Sequence, residues 1–326
     1  MYDGVTMFAN ELFRPAENAP EVPPGLPLVA GLTGFADAGS AVSQMNDYVL
    51  STLPAGDIGR FDNDALLDYR ARRPIFEFDQ THLTSYEPPR LGVSLVRDEL
   101  GDPFLFLSGY EPDLKWEAVT STITSLVDHY EVSSTTWVHA IPMPVPHTRT
   151  LGVTVSGNRQ EITDRMSVWR PTTKVPGTLM HAVEYALSNK GHPVSGFVIL
   201  VPHYLADTEF PSAAVTALES ITASTGRIFP TDSLRELGRG FLGGIAEQLE
   251  SNEELAKLVG ALEKRHDSYM EDNPLASPLM DAEGEIPSAD EIAEQLQEFL
   301  SHHHEPLPKP GAEGGLPDEP ESNAEG

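Results

Sequence analysis

The chain has 326 residues, with 50 acidic side chains against 21 basic ones, a formal net charge of −29 and no cysteine. The missing thiols exclude a disulfide scaffold, a thiolate nucleophile and any cysteine-based metal centre. The acidic excess opposes binding to a nucleic-acid backbone or an anionic membrane surface, both of which work through lysine and arginine.

The first residues, Met1-Tyr2-Asp3-Gly4-Val5, carry no basic region followed by a long apolar run, so they read as a plain N-terminal segment over 1–24 and not as a secretory signal. No apolar run reaches the roughly 18 residues of a membrane span, and a cytoplasmic protein is expected. From residue 25 to 232 short apolar runs alternate with segments of helical period. Leu28–Leu32 leads into Gly34-Phe35-Ala36-Asp37-Ala38-Gly39 and a helix over about 38–52. Phe104–Ser108 leads into Gly109-Tyr110-Glu111-Pro112-Asp113 and a helix over about 114–130, with Asp113 as its N-cap. Thr136–Ile141 leads into a proline-rich loop ending Pro146-His147-Thr148-Arg149. Phe197–Val201 leads into Pro202-His203-Tyr204 and a helix over about 211–224. Leu91–Val96 and Leu151–Val155 read as further strands, and Thr178–Asn189 as a further helix with His181 and Glu184 on one face. The fold class is therefore α/β, a mixed and mostly parallel sheet covered by helices on both faces.

Residues 233–304 read as a C-terminal helical section packed on that core. Within it, Ser288-Ala289-Asp290-Glu291 is a helix-start signature, followed by Ile292, Leu296, Phe299 and Leu300 on one stripe. His302-His303-His304 point in different directions on a helix and read as a solvated helix end, so no metal site is expected. Residues 271–326 hold 15 acidic and one basic side chain, a net −14, and 305–326, rich in Pro, Gly and Glu, read as a disordered tail.

In open α/β sheets ligands bind beyond the carboxyl ends of parallel strands. Here those ends carry Asp37, Glu111 and Asp113, His147 and Arg149, and His203 and Tyr204. Carboxylates beside imidazoles suit acid–base work, and an arginine suits an anionic group. Gly34 to Gly39 followed by Ser40 has the spacing of a phosphate loop, but the lysine that should precede the Ser/Thr is absent, since Ser40 is followed by Ala41, and Asp37 adds a repulsive charge. Gly34, Gly39 and Ser40 thus read either as a small-anion loop or as a tight turn. Asp68–Pro74, with Arg70, Arg72 and Arg73, is the densest basic cluster and suits pairing with an acidic surface, including that of another subunit.

Five motifs in order, Gly34–Gly39, Asp68-Tyr69-Arg70 with Arg73-Pro74, Leu107–Asp113 with Trp116-Glu117, Pro146–Arg149 and Val201–Tyr204, resemble the proteasome assembly chaperone family of the second-chaperone type, and its actinobacterial branch most. The resemblance spans roughly residues 25–235. It implies a three-layer α/β/α sandwich related to the phosphorylase/hydrolase-like fold, and a homo-oligomer such as a trimer. Eukaryotic and archaeal relatives act as chaperones for proteasome rings, whereas bacterial ones have also been labelled carboxylate-amine ligases. The residues 322–326, Ser-Asn-Ala-Glu-Gly, depart from the hydrophobic–tyrosine–any-residue ending of ring-docking relatives. Nor does the chain show the nucleotide-clamping lysine and metal carboxylates of a ligase. The expected function is an oligomeric protein-binding or assembly-chaperone-like module without a cofactor, partnered by itself and by other proteins. The alternative is a phosphate- or nucleoside-type enzyme or sensor using the strand-end rim.

Overall fold

The structure, a computed structural model, describes residues 12–170 and 172–272. In chain order the elements are β1 (Phe13–Pro15), β2 (Leu28–Thr33), α1 (Ala41–Thr52), β3 (Ala55–Phe61), α2 (Asn63–Leu66), β4 (Ile75–Asp79), β5 (His82–Glu87), β6 (Leu91–Arg97), β7 (Pro103–Tyr110), α3 (Trp116–His129) and β8 (Thr135–Met143). There follow β9 (Val153–Gly157), α4 (Gln160–Met166), α5 (Leu179–Asn189), β10 (Val194–Pro202), α6 (Pro211–Thr225), α7 (Asp232–Ser251) and α8 (Glu253–Asp272).

Eight strands form one sheet in the order β1-β3-β6-β7-β2-β8-β10-β9. The central strands β7, β2, β8 and β10 pair in parallel, and the outer pairings are antiparallel. Because the centre is buried on both faces, its strands are nearly continuous apolar runs. Alternation then sorts the side chains. In β7, Phe104 and Phe106 face one layer while Leu105 and Leu107 face the other. The first layer is α1 and α6, extended by α7 and α8; the second is α3 and α5. The result is the three-layer α/β/α sandwich with a C-terminal helical extension that the sequence pattern leads one to expect.

The helix ends show where local chemistry decides. Helix α6 starts at Pro211 and stops at Gly226, which takes a left-handed φ of 73°. Helix α3 departs from expectation: it begins at Trp116 behind Lys115, and Asp113 is not its cap. Both carboxylate oxygens of Asp113 are taken elsewhere, one by the Asp68 amide at 2.8 Å and the other by Arg72 at 2.8 Å. That pairing also accounts for one arginine of the basic cluster within the chain itself.

Residues 13–15, inside the N-terminal segment, join the main sheet beside β3. The β4–β5 hairpin forms a separate two-stranded sheet. No described helix is long and apolar enough to cross a membrane. The 288–300 helix, His302–His304 and the acidic tail lie outside the described residues.

Candidate functional site

Four parallel neighbours, β7, β2, β8 and β10, send their carboxyl ends to one edge of the sheet, so the loops after them share a rim. Along that rim the sequence-selected side chains fall into separate groups, each held by its own bonds.

Asp37 sits at the head of α1. One carboxylate oxygen accepts from the Val42 amide at 2.7 Å, and the other from the Ser43 amide at 2.9 Å and the Ser43 hydroxyl at 2.7 Å. These are the donors a bound anion would need. The Gly39 amide donates to the Ala206 carbonyl and the Ser40 amide to the Asp37 carbonyl, so this turn is closed by its own groups. Gly34 belongs to the neighbouring site instead: a Cβ there would lie 2.4 Å from Glu111 Oε2.

Farther along, His147 and Tyr204 form a pair. The Tyr204 hydroxyl accepts from the His147 amide at 2.9 Å and lies 2.7 Å from Nδ1 of the same residue. Burial lowers the pKa of His147 and raises that of Tyr204, which favours the neutral form of both. His203 Nδ1 faces the Met143 carbonyl at 3.4 Å, and burial lowers its pKa too. Arg149 turns away to α8, where Nε and Nη2 hold the two oxygens of Asp267 at 2.8 and 2.6 Å and Nη1 reaches Glu263 at 3.3 Å. Two carboxylates thus already occupy the guanidinium that an anionic ligand would use.

A small cleft on the α5 side of the rim is lined by Gly34, Phe35, Glu111, His139, Thr178 and Trp137, with apolar walls behind. Glu111 is 7% exposed; its Oε1 accepts from the Leu179 amide at 2.6 Å, a carboxylate on the first turn of α5. Thr178 is the N-cap of that helix and forms a capping box with His181, whose Nδ1 accepts from the Thr178 amide at 3.0 Å. With the amide donating, Nδ1 is an acceptor, so the Thr178 hydroxyl, 2.8 Å away, donates to it as well.

Trp137 and His139, two apart on β8, project to the same face. Trp137 donates to Glu184 Oε2 at 2.7 Å, an oxygen shared with Ser156, and packs edge-on against His181. The bare Cα of Gly196 makes room for this arrangement, since a Cβ there would meet the indole at 2.4 Å. Desolvation raises the pKa of Glu184, and the two hydrogen bonds oppose it. His139, 6% exposed, makes no hydrogen bond among the described residues, and burial first and His181 second lower its pKa to about 4.

Of the sequence-selected residues, this cleft therefore gathers Gly34 and Glu111. It leaves Asp37 to cap α1, Asp113 to anchor the 68–72 loop, His147, Arg149 and Tyr204 to the α8 side, and His203 beside Tyr204 and the Met143 carbonyl. His139, Trp137 and Thr178 are the members that sequence reasoning missed. One signal was available for His139, a lone titratable side chain inside the otherwise apolar Trp137–Ile141 run. Among the described residues no group of three or more His, Asp or Glu side chains is arranged to hold a metal ion. The cleft has a volume of about 10 Å³, room for roughly one water.

A sandwich of this topology, with these loops on its rim, is that of the PAC2 family. The family model matches residues 31–249, and the chain belongs to that family. Its relatives include the actinobacterial proteins that the motifs resemble. A Corynebacterium glutamicum protein of unknown function is 36% identical, over 80% of this chain and 99% of that one, with a TM-score of 0.77. A Mycobacterium tuberculosis protein of unknown function is 34% identical, over 80% and 92%, with a TM-score of 0.75. A second M. tuberculosis protein, described as a proteasome-assembly chaperone homologue, shares the fold at 22% identity, over 72% and 100%, with a TM-score of 0.65. No curated protein matches the chain.

Proposed function

We propose that this chain is an oligomeric, assembly-chaperone-like protein-binding module whose β4–β5 arm packs on a second copy of itself. The observation that carries this reading is the arm. Ile75, Phe76, Phe78, Leu83 and Tyr86 are all about half or more exposed, and Phe76 stacks on Tyr86 across the strands with ring centroids 4.7 Å apart. A lone two-stranded hairpin is marginal in water, and a patch of this kind marks an interaction surface.

The arm also carries both signs of charge. Arg70 and Arg73 stand exposed at its foot, while Glu77, Asp79 and Glu87 lie along it. Two arms side by side in opposite directions set the arginines of one against the carboxylates of the other, a match suited to an otherwise acidic chain. Membership of the PAC2 family supports the reading, as does the fold shared with a proteasome-assembly chaperone homologue. A phosphate or nucleoside ligand has less in its favour, because the enclosed cleft is small against the 300 Å³ or more of typical ligand sites and has a carboxylate in its wall.

Light scattering after size exclusion tests the reading on the full chain. The wild type should elute at a multiple of 35.5 kDa, and a Phe76→Ser/Phe78→Ser/Leu83→Ser variant with unchanged circular dichroism at the single mass. A wild type of single mass, or a variant that keeps the multiple, overturns it.

A further inference from the structure

The Glu111 cleft is built from acceptors. Glu111 Oε1 is satisfied by the Leu179 amide, but Oε2 has no hydrogen bond among the described residues and lies against Gly34 at the cleft wall. The Thr178 hydroxyl spends its proton on His181 Nδ1 and one lone pair on the His181 amide, and keeps the other lone pair. His139 is more than nine-tenths buried, lines the same cleft and has no hydrogen-bond partner among the described residues; as a neutral ring it offers one unprotonated nitrogen. The cleft thus presents polar atoms with no protein partner among the described residues to whatever enters it, and such atoms favour an occupant that can bond to them.

We propose that this cleft binds a primary ammonium group, R–NH₃⁺, with Glu111 supplying the counter-charge and Thr178 and His139 the other two acceptors. An ammonium carries three donors and no acceptor, which matches three acceptors around a space for one water-sized group. An anion is excluded by the Glu111 carboxylate. A planar guanidinium is too wide for the cavity. A water fits by size but adds no counter-charge to the one the Leu179 amide and the α5 N-terminus supply. The apolar walls suit a methylene stem, and Phe35, 71% exposed, stands at the cleft as an aromatic neighbour for an entering cation. The ammonium can come from a free small amine or from a lysine side chain of a partner protein. Cleft and arm share no residue, so amine binding and self-assembly succeed or fail separately.

Titration calorimetry on the full chain at neutral pH tests the site with n-butylammonium, tetramethylammonium, and the blocked amino acids N-acetyl-lysine methylamide and N-acetyl-arginine methylamide. n-Butylammonium and the lysine derivative should bind, whereas tetramethylammonium, charged but without N–H donors, and the arginine derivative should not. Tighter binding of the lysine derivative than of n-butylammonium assigns the natural ligand to a protein side chain; equal or weaker binding assigns it to a free amine. Glu111→Gln retains an acceptor for the Leu179 amide and should weaken binding about tenfold or more by removing the charge. Should that variant misfold, His139→Phe keeps the volume and removes one acceptor, with a smaller loss expected. No heat with either amine, or equal binding of tetramethylammonium, overturns the proposal and leaves a water site.

Discussion

Arg149 and Asp267, 118 residues apart, form a two-pronged ion pair that fastens the loop after β8 to α8. The hydrogen bond from Arg149, aided by its charge, holds the Asp267 carboxyl down at about 2. A depressed carboxylate contributes above its unfolded pKa, near 4, and that contribution disappears as pH falls through about 2. Since both side chains are partly exposed, salt weakens the clasp and its share of global stability is small. Its effect is local. Arg149→Ala should speed amide hydrogen exchange in α8 several-fold at neutral pH and scarcely move the melting temperature. Unchanged exchange in α8 would show that apolar packing alone seats the helix.

Asp37, the first carboxylate on the rim, works as a cap. Its three bonds to Val42 and Ser43 satisfy donors that α1 leaves open, and the first turn of α1 has no other side-chain cap. Asp37→Ala should cost about 1–2 kcal/mol in denaturant unfolding, and Asp37→Asn, which keeps one acceptor oxygen but sets an NH2 against the remaining donor, part of that. An equal loss in both variants would show that one acceptor oxygen is not enough and that the cap needs the whole carboxylate.

Much of this frame is legible in the chain because β2, β7, β8 and β10 are buried on two faces and appear as unbroken apolar runs. The helices after them announce themselves by period, and α6 by Pro211 and Gly226 as well. Strand β3 is harder to see: Gly56, Asp57 and Gly59 interrupt it, and its neighbours in the sheet, not its composition, make it extended. Phe76 and Phe78 on β4 sit in the open, so no core pattern marks the arm. The rim was legible as a set of loops, because parallel strand ends converge by topology. Which side chain does what was not, since each assignment depends on a distant partner: Arg72 for Asp113, Leu179 for Glu111, Asp267 for Arg149. Sequence distance hides such partners, and a carboxylate after a strand looks the same whether it caps a helix or faces a cavity.

The buried histidines give the protein a pH dependence with a definite sign. His139 has its pKa lowered to about 4 from 6.5 by burial, so the unfolded chain takes up its proton first as pH falls. The neutral ring therefore contributes stability above about pH 6.5, and this is lost progressively down to pH 4, up to about 3 kcal/mol. His147, His181 and His203 are shifted the same way by burial and add to the trend. Urea unfolding at pH 7.5 and pH 5 should show the wild type weaker at the lower pH, and His139→Phe should narrow the difference. If the variant retains the full pH dependence, the proton taken up on unfolding belongs to the other histidines.

Gly196 sets the limit on how β10 and α5 accommodate the indole between them. A methyl at this position would lie 2.4 Å from two carbons of the Trp137 ring and 2.6 Å from Glu184 Oε2. Trp137 is 1% exposed and fully enclosed, so the ring has little room to retreat, and the indole–Glu184 bond must lengthen or break. Gly196→Ala should therefore destabilise the fold by about 1–3 kcal/mol through overpacking. Breaking the bond would also leave Glu184 and the indole N–H short of partners in a buried place, which adds to the loss. Tryptophan fluorescence reports the local change, with the Trp137 emission moving while circular dichroism holds. Trp137→Phe in the same background removes both the ring edge in the way and the N–H donor, and should recover part of the lost stability. A Gly196→Ala protein as stable as wild type, with unshifted emission, would mean that the strand itself moves aside and that the tight seat of the indole is not a constraint.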